Sequence, residues 1–90
     1  EFGEFRFDAE KLVLWRGAKN VSVPPKATAV LSILLSNHGE LVERRALIDT
    51  VWQDTFVEDG NLSQAISLLR KTLGSSSIIQ TAPRRGYRFT

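Results

Sequence analysis

The sequence predicts an α+β domain in which three short strands lead into three helices and a β-hairpin closes the chain. Three observations carry this prediction. Three short alternating or apolar runs fall within the first 23 positions, apolar residues recur at helical spacing in three stretches between Pro25 and Leu73, and two further strand-like runs split by a turn begin at Ile78. Ninety residues of 42% hydrophobic and 24% charged composition support one hydrophobic core and not two. Residues 1–90 are therefore read as a single domain. The chain opens Glu1-Phe2-Gly3 without an initiator methionine, which sets the expectation of a domain excised from a longer protein.

Each element has its own local signal. Phe5-Arg6-Phe7-Asp8 alternates, Leu12 to Trp15 is an apolar run, and Val21-Ser22-Val23 alternates again, with Gly17 and Asn20 forming the turn between the last two. An antiparallel meander fits these three strands. Pro24-Pro25 ends the region, and Pro25 suits the first turn of a helix because its missing N–H has no intrahelical partner there. Ala27, Val30, Leu31, Leu34 and Leu35 make one face of a helix from Pro25 to Asn37, which His38-Gly39 closes with a residue suited to the left-handed conformation. Leu47, Ile48, Val51 and Trp52 give a second, short helix over Arg44 to Trp52. The segment 53–59 reads as a connection, with Glu58 and Asp59 placed where negative charge favours a helix start. The third helix, Asn61 to Leu73, gathers Leu62, Ala65, Ile66, Leu69 and Leu73 on one side. Gly74 and the serines after it stop that helix. Ile78 to Thr81 and Gly86 to Phe89 read as two strands joined by Ala82-Pro83-Arg84-Arg85.

Composition removes several classes of function. Cysteine is absent and His38 is the only histidine, so the chain cannot build a thiolate nucleophile, a disulfide framework or a metal site from these residue types. No paired carboxylates sit where a cleft is expected, and the reading is of a protein that is not an enzyme and has no cofactor. The longest apolar stretch, Ala29 to Leu35, is interrupted by Ser32 and falls far short of the roughly 20 residues that span a bilayer. With no signal-peptide pattern either, this chain is expected to act in the cytoplasm without touching a membrane, although a longer parent protein could be membrane-anchored.

The formal net charge of +2 hides a strong asymmetry. Residues 1–59 carry seven basic and all ten acidic side chains, whereas residues 60–90 carry Arg70, Lys71, Arg84, Arg85 and Arg88 and no acid. A one-signed segment concentrates field and draws a polyanion. On the third helix, the side opposite the apolar stripe presents Ser63, Gln64, Ser67, Leu68 and Lys71, with Arg70 on the flank. A helix selected only for solubility is filled with Glu and Lys pairs; this one has no acid from Asn61 onward. Gln can pair bidentately with adenine and Ser can bond most base edges in the major groove of duplex DNA. Two ordinary explanations stand beside these. Asn61-Leu62-Ser63-Gln64 also has the spacing of a capping box, and Arg70 and Lys71 also suit a helix C-terminus. Leu68 is left outside the site, since an apolar side chain there more often packs on a neighbour. At the hairpin tip, Pro83 fixes one φ angle and Gly86 relieves another. Arg84 and Arg85 thus project from a stiff turn, a form suited to a narrow minor groove or to phosphate, while guarding an exposed sheet edge would need only one charge.

These residues together resemble, over almost the whole chain, the winged helix-turn-helix effector domain of the OmpR/PhoB family of transcriptional regulators, in the variant related to CadC and ToxR. The most specific segments are Asn61 to Gly74, similar to the family's recognition helix, and Ile79-Gln80-Thr81-Ala82-Pro83-Arg84-Arg85-Gly86-Tyr87-Arg88-Phe89, similar to its wing. Val51-Trp52 and Phe2-Gly3-Glu4-Phe5 fit as well. The resemblance implies sequence-specific binding of double-stranded DNA, with the third helix in the major groove and the wing on the minor groove or the backbone. Carried over by position, it adds Asn61, Thr81 and Arg44 to Ser63, Gln64, Ser67, Arg70, Lys71, Arg84 and Arg85 as DNA-binding residues. It also implies contact with RNA polymerase through the loop 53–59 and tandem self-association on DNA. Three departures qualify the match: Glu43 stands where many members have a Ser or Thr cap, Pro83 occupies the place of a wing arginine, and the turn 74–77 is short. Which arginine enters the groove stays open at this point. The competing reading is a protein-interaction module of the same fold that binds a partner through 53–59 and DNA only weakly.

Overall fold

The computed structural model describes residues 4–8, 10–53, 59–74 and 77–90. Its elements run β1 Phe5–Asp8, β2 Val13–Arg16, β3 Lys19–Val21, α1 Pro25–Ser36, β4 Leu41–Glu43, α2 Arg44–Val51, α3 Asp59–Leu73, β5 Ile79–Ala82 and β6 Gly86–Phe89. Strands β1, β2 and β3 form an antiparallel meander as expected, with Phe7 opposite Leu14 and Leu14 opposite Val21, but β3 lies at Lys19–Val21 instead of 21–23, so that Asn20 pairs with Trp15 and the turn falls on Gly17-Ala18. The β1–β2 turn is organised by Asp8, whose Oδ1 accepts the backbone N–H groups of Glu10 at 3.0 Å and Lys11 at 3.1 Å. This is the local bonding that makes Asp a turn residue. Phe5 and Leu14 point from this sheet into the core.

Helix α1 starts as the sequence indicates. Pro25 lies in its first turn, and Thr28 back-bonds through Oγ1 to the Pro24 carbonyl at 3.0 Å. Ala27, Val30, Leu31 and Leu34 bury one side of it against α2, α3 and β6. Gly39 has φ +84° and donates its N–H to the Phe89 carbonyl at 2.9 Å, so the helix exit is pinned to the last strand. The C-terminal end of α2 is held from across the bundle by Lys26, whose Nζ donates to the Val51 carbonyl at 2.9 Å.

Two further sequence expectations are corrected. The hairpin belongs to a three-stranded sheet of order β4-β6-β5, because Leu41–Glu43 pairs antiparallel with β6. Three residues with a single inward side chain, Val42, are too few to show an alternation, and their pairing partner lies more than forty positions away. The other correction concerns α3, which begins at Asp59, so that Asn61 lies within its first turn and is no N-cap. The capping-box explanation of Gln64 falls with it. Of the loop 53–59, residues 54–58 are outside the described residues, as are Phe2, Gly3, Ser75 and Ser76.

Candidate nucleic-acid interface

Along α3 the burial pattern separates packing from display. Leu62, Ile66 and Leu69 are essentially inaccessible and Ala65 and Leu73 are buried, whereas Asn61, Ser63, Gln64, Ser67 and Lys71 are exposed. Leu68 packs partly buried against the core, in keeping with its exclusion from the site. The exposed side chains make a strip of short or flat polar groups ending in the Lys71 cation. A strip of this kind can approach base edges closely because no long acidic side chain holds the phosphates away.

Arg70 is turned differently. Half-buried, it donates from Nε at 3.0 Å and from Nη2 at 2.6 Å to the Ile79 carbonyl, and from Nη2 at 2.7 Å to Thr81 Oγ1. The structure thus brings together two residues of the expected site, Arg70 and Thr81, by bonding one to the other.

The wing tip forms a second cluster. The Arg85 N–H donates to the Ala82 carbonyl at 2.9 Å, closing a turn with Pro83 and Arg84 at its centre, and Arg84 has φ +66°. That is the left-handed region, where an L-residue other than glycine is strained by roughly 1–2 kcal/mol. Arg84→Gly is accordingly expected to raise stability by about 0.5–1 kcal/mol in a urea titration while weakening duplex binding. A loss of stability would show that the Arg84 side chain does structural work in the free protein. The tip is also tied to α2, since the Arg44 N–H donates to the Arg85 carbonyl at 2.9 Å. Between them lies a cleft of about 290 Å³ lined by Glu43, Arg44, Arg45, Arg84 and Arg85.

The four arginines that line this cleft outnumber its one carboxylate, Glu43, so the cleft carries a net positive charge that draws a polyanion. Arg45 is the member that the sequence reading left out. Its ion pair with Asp49 at 3.3 Å, an i,i+4 contact with both side chains well exposed, makes it look like an ordinary solvated helix residue. Such pairs contribute little. Glu43, at the N-cap of α2, makes no side-chain capping bond, as expected from its departure from the Ser or Thr pattern. On the outer face of the wing sheet, Arg88 donates from Nε at 3.2 Å and from Nη2 at 2.5 Å to Gln80 Oε1, away from the arginine cleft. Among the described residues no group of three or more His, Asp or Glu could hold a metal ion, and no helix is long and apolar enough to cross a membrane.

Comparison with known proteins agrees with this architecture. A family model described as "Transcriptional regulatory protein, C terminal" matches residues 18–89. The transcriptional regulator HilA of Salmonella typhimurium is 42% identical over 79 residues, which cover 84% of this chain but 14% of that protein. The chain therefore corresponds to a small part of that relative. The DNA-binding domain of Escherichia coli CadC superposes with a TM-score of 0.86 at 29% identity, over 100% of this chain and 89% of that one. The Klebsiella pneumoniae RstA DNA-binding domain, solved in complex with the RstA box, superposes with a TM-score of 0.81 at 26% identity, over 100% and 94% of the two chains. The N-terminal antiparallel sheet, three helices and C-terminal wing are those of a winged helix-turn-helix, and the chain belongs to the OmpR/PhoB-type family of transcriptional regulatory protein C-terminal domains.

Proposed function

We propose that this domain binds double-stranded DNA in a sequence-specific manner as the effector part of a transcriptional regulator. In this proposal α3 lies in the major groove, and the wing lies on the adjacent minor groove or backbone. The observation that carries it is the pairing of an acid-free, exposed polar strip on α3 with an arginine-lined cleft at the wing tip, in a family whose RstA member has been solved on its DNA box. Asn61, Ser63, Gln64 and Ser67 are assigned to base edges. Lys71, Arg44, Arg84, Arg85 and Thr81 are assigned to phosphates or the minor groove, with Arg70 beside them at the junction of helix and wing. The proposal extends to RNA polymerase as a partner of segment 53–59, to tandem copies on adjacent half-sites and to action in the cytoplasm, all supported by the family alone.

Selection of bound sequences from a random duplex pool tests the central claim. Enrichment of a defined site is expected, and no enrichment at low salt would favour the protein-interaction module. With the selected site in hand, Gln64→Ala is expected to lose about 1–3 kcal/mol of discrimination at one or two base pairs. Its circular dichroism should be unchanged, because Gln64 lies past the first turn of a helix that begins at Asp59. Equal weakening on every base at those positions would remove Gln64 from the reading set.

A further inference from the structure

Strand β5 is the edge of the wing sheet, so half of its backbone groups have no ladder partner. The bond from the Thr90 N–H to the Ile78 carbonyl, 3.0 Å, fixes the phase of the alternation and turns the Ile79 carbonyl outward, toward α3. An outward carbonyl at a sheet edge ordinarily goes to water. Here it receives the fork of Arg70 from the last turn of α3, and the same Nη2 continues to Thr81 Oγ1 two residues along the strand. Bonds from one planar guanidinium to two acceptors on the same strand fix rotation as well as distance, which a single ammonium donor cannot do. Burial of half the side chain strengthens them, because partial exclusion of water lowers the local dielectric. The remainder of the wing is carried by other elements, with β6 on α1 and α2 and β4 running into α2. The Arg70 fork thus spans directly from the reading helix to the wing edge.

We propose that Arg70 is a positioning residue, a strut that sets the angle between α3 and the wing so that both meet one duplex at a single separation. The strut itself stands on the geometry of the free protein; its consequence for DNA rests on the function proposed above. A second effect follows at Thr81. By accepting from Nη2, its hydroxyl oxygen leaves its own proton to donate, the polarity that a phosphate oxygen requires. Arg70 therefore orients a DNA-facing donor as well as holding the strand that carries it.

The test uses Arg70→Lys, which keeps the cation and loses the fork. In the free protein, residual dipolar couplings of the β5 amides 79–82 should fit the alignment of the helices in the wild type and require a second one in the variant. One shared alignment in the variant would overturn the strut. Thr81→Val, at an exposed position, keeps the fold and removes one acceptor. It should shift the wing couplings in the same direction by a smaller amount, and an unchanged set would count against the strut as well. On duplexes in which the selected helix site is separated from a flanking A·T tract by one base pair more or fewer, the wild type should prefer one spacing by about tenfold. Arg70→Lys should bind all spacings nearly equally with an unchanged salt dependence, since the charge is retained. A preserved spacing preference, or an equal loss at every spacing, would overturn the positioning role on DNA. Absence of duplex binding by the wild type would instead overturn the proposed function, leaving the coupling measurement to decide the strut.

Discussion

Gly86→Ala is expected to destabilise the domain by about 3 kcal/mol, read as a lower urea midpoint at unchanged slope. Gly86 opens β6 and stands opposite Glu43 of β4 on one side and Ala82 of β5 on the other. A Cβ added there would lie 2.0 Å from the Val42 carbonyl oxygen and 2.9 Å from both the Val42 carbonyl carbon and the Glu43 Cα. All three are backbone atoms, so no side-chain rotation relieves the contact. The requirement is one of close approach and not of left-handed φ, which distinguishes it from Gly39. Relief requires β4 to move away from β6, carrying with it the start of α2 and the bond from Arg44 to the wing tip. A midpoint shift equivalent to less than about 1 kcal/mol would mean that β4 is held less tightly than its register implies.

Changing Arg84 and Arg85 together to Ala is expected to weaken binding by about a hundredfold at low salt, and nearly uniformly across sequences. If the wild type neutralises about four to six phosphates, its plot of log affinity against log salt should have a slope of roughly −4 to −5, and the double variant should fall to roughly −2 to −3. The arithmetic follows from the cleft, where these two side chains share one concavity with Arg44 and Arg45. A variant that kept the full slope would remove the wing tip from the phosphate contacts. One that lost affinity only for sites with a flanking A·T tract would move it into the minor groove.

Most of the fold was legible in the sequence because its signals are local. Leu47, Ile48 and Val51 declare a helix within eight residues, and Pro24-Pro25 and Gly39 punctuate the first one without reference to anything distant. Strand β4 was not legible, because Leu41–Glu43 becomes a strand only when β6 is laid beside it. The site divides in the same way. Exposure of Ser63, Gln64 and Ser67 follows from helical period alone, and the structure agrees. Arg70 could be placed on the flank of α3, but its partners are a carbonyl nine positions on and a hydroxyl eleven positions on, which no periodicity reveals. The start of α3 at Asp59 likewise settles the question of Asn61 that the Asn-x-x-Gln spacing left open.

The pairing of β4 with β6 also governs the order in which the domain can assemble. By the time residue 73 has been added, all three helices exist as sequence, yet the core still lacks Ile79 and Phe89, two of its most deeply buried side chains. The strand at 41–43 must wait for residues 86–89, and Gly39 must wait for the Phe89 carbonyl. Contacts between such remote parts of the chain make the closing step slow relative to helix formation. A growing chain therefore carries α3 before it has a wing, and the surface proposed to bind DNA is assembled only with β6, in the same step that fills the core.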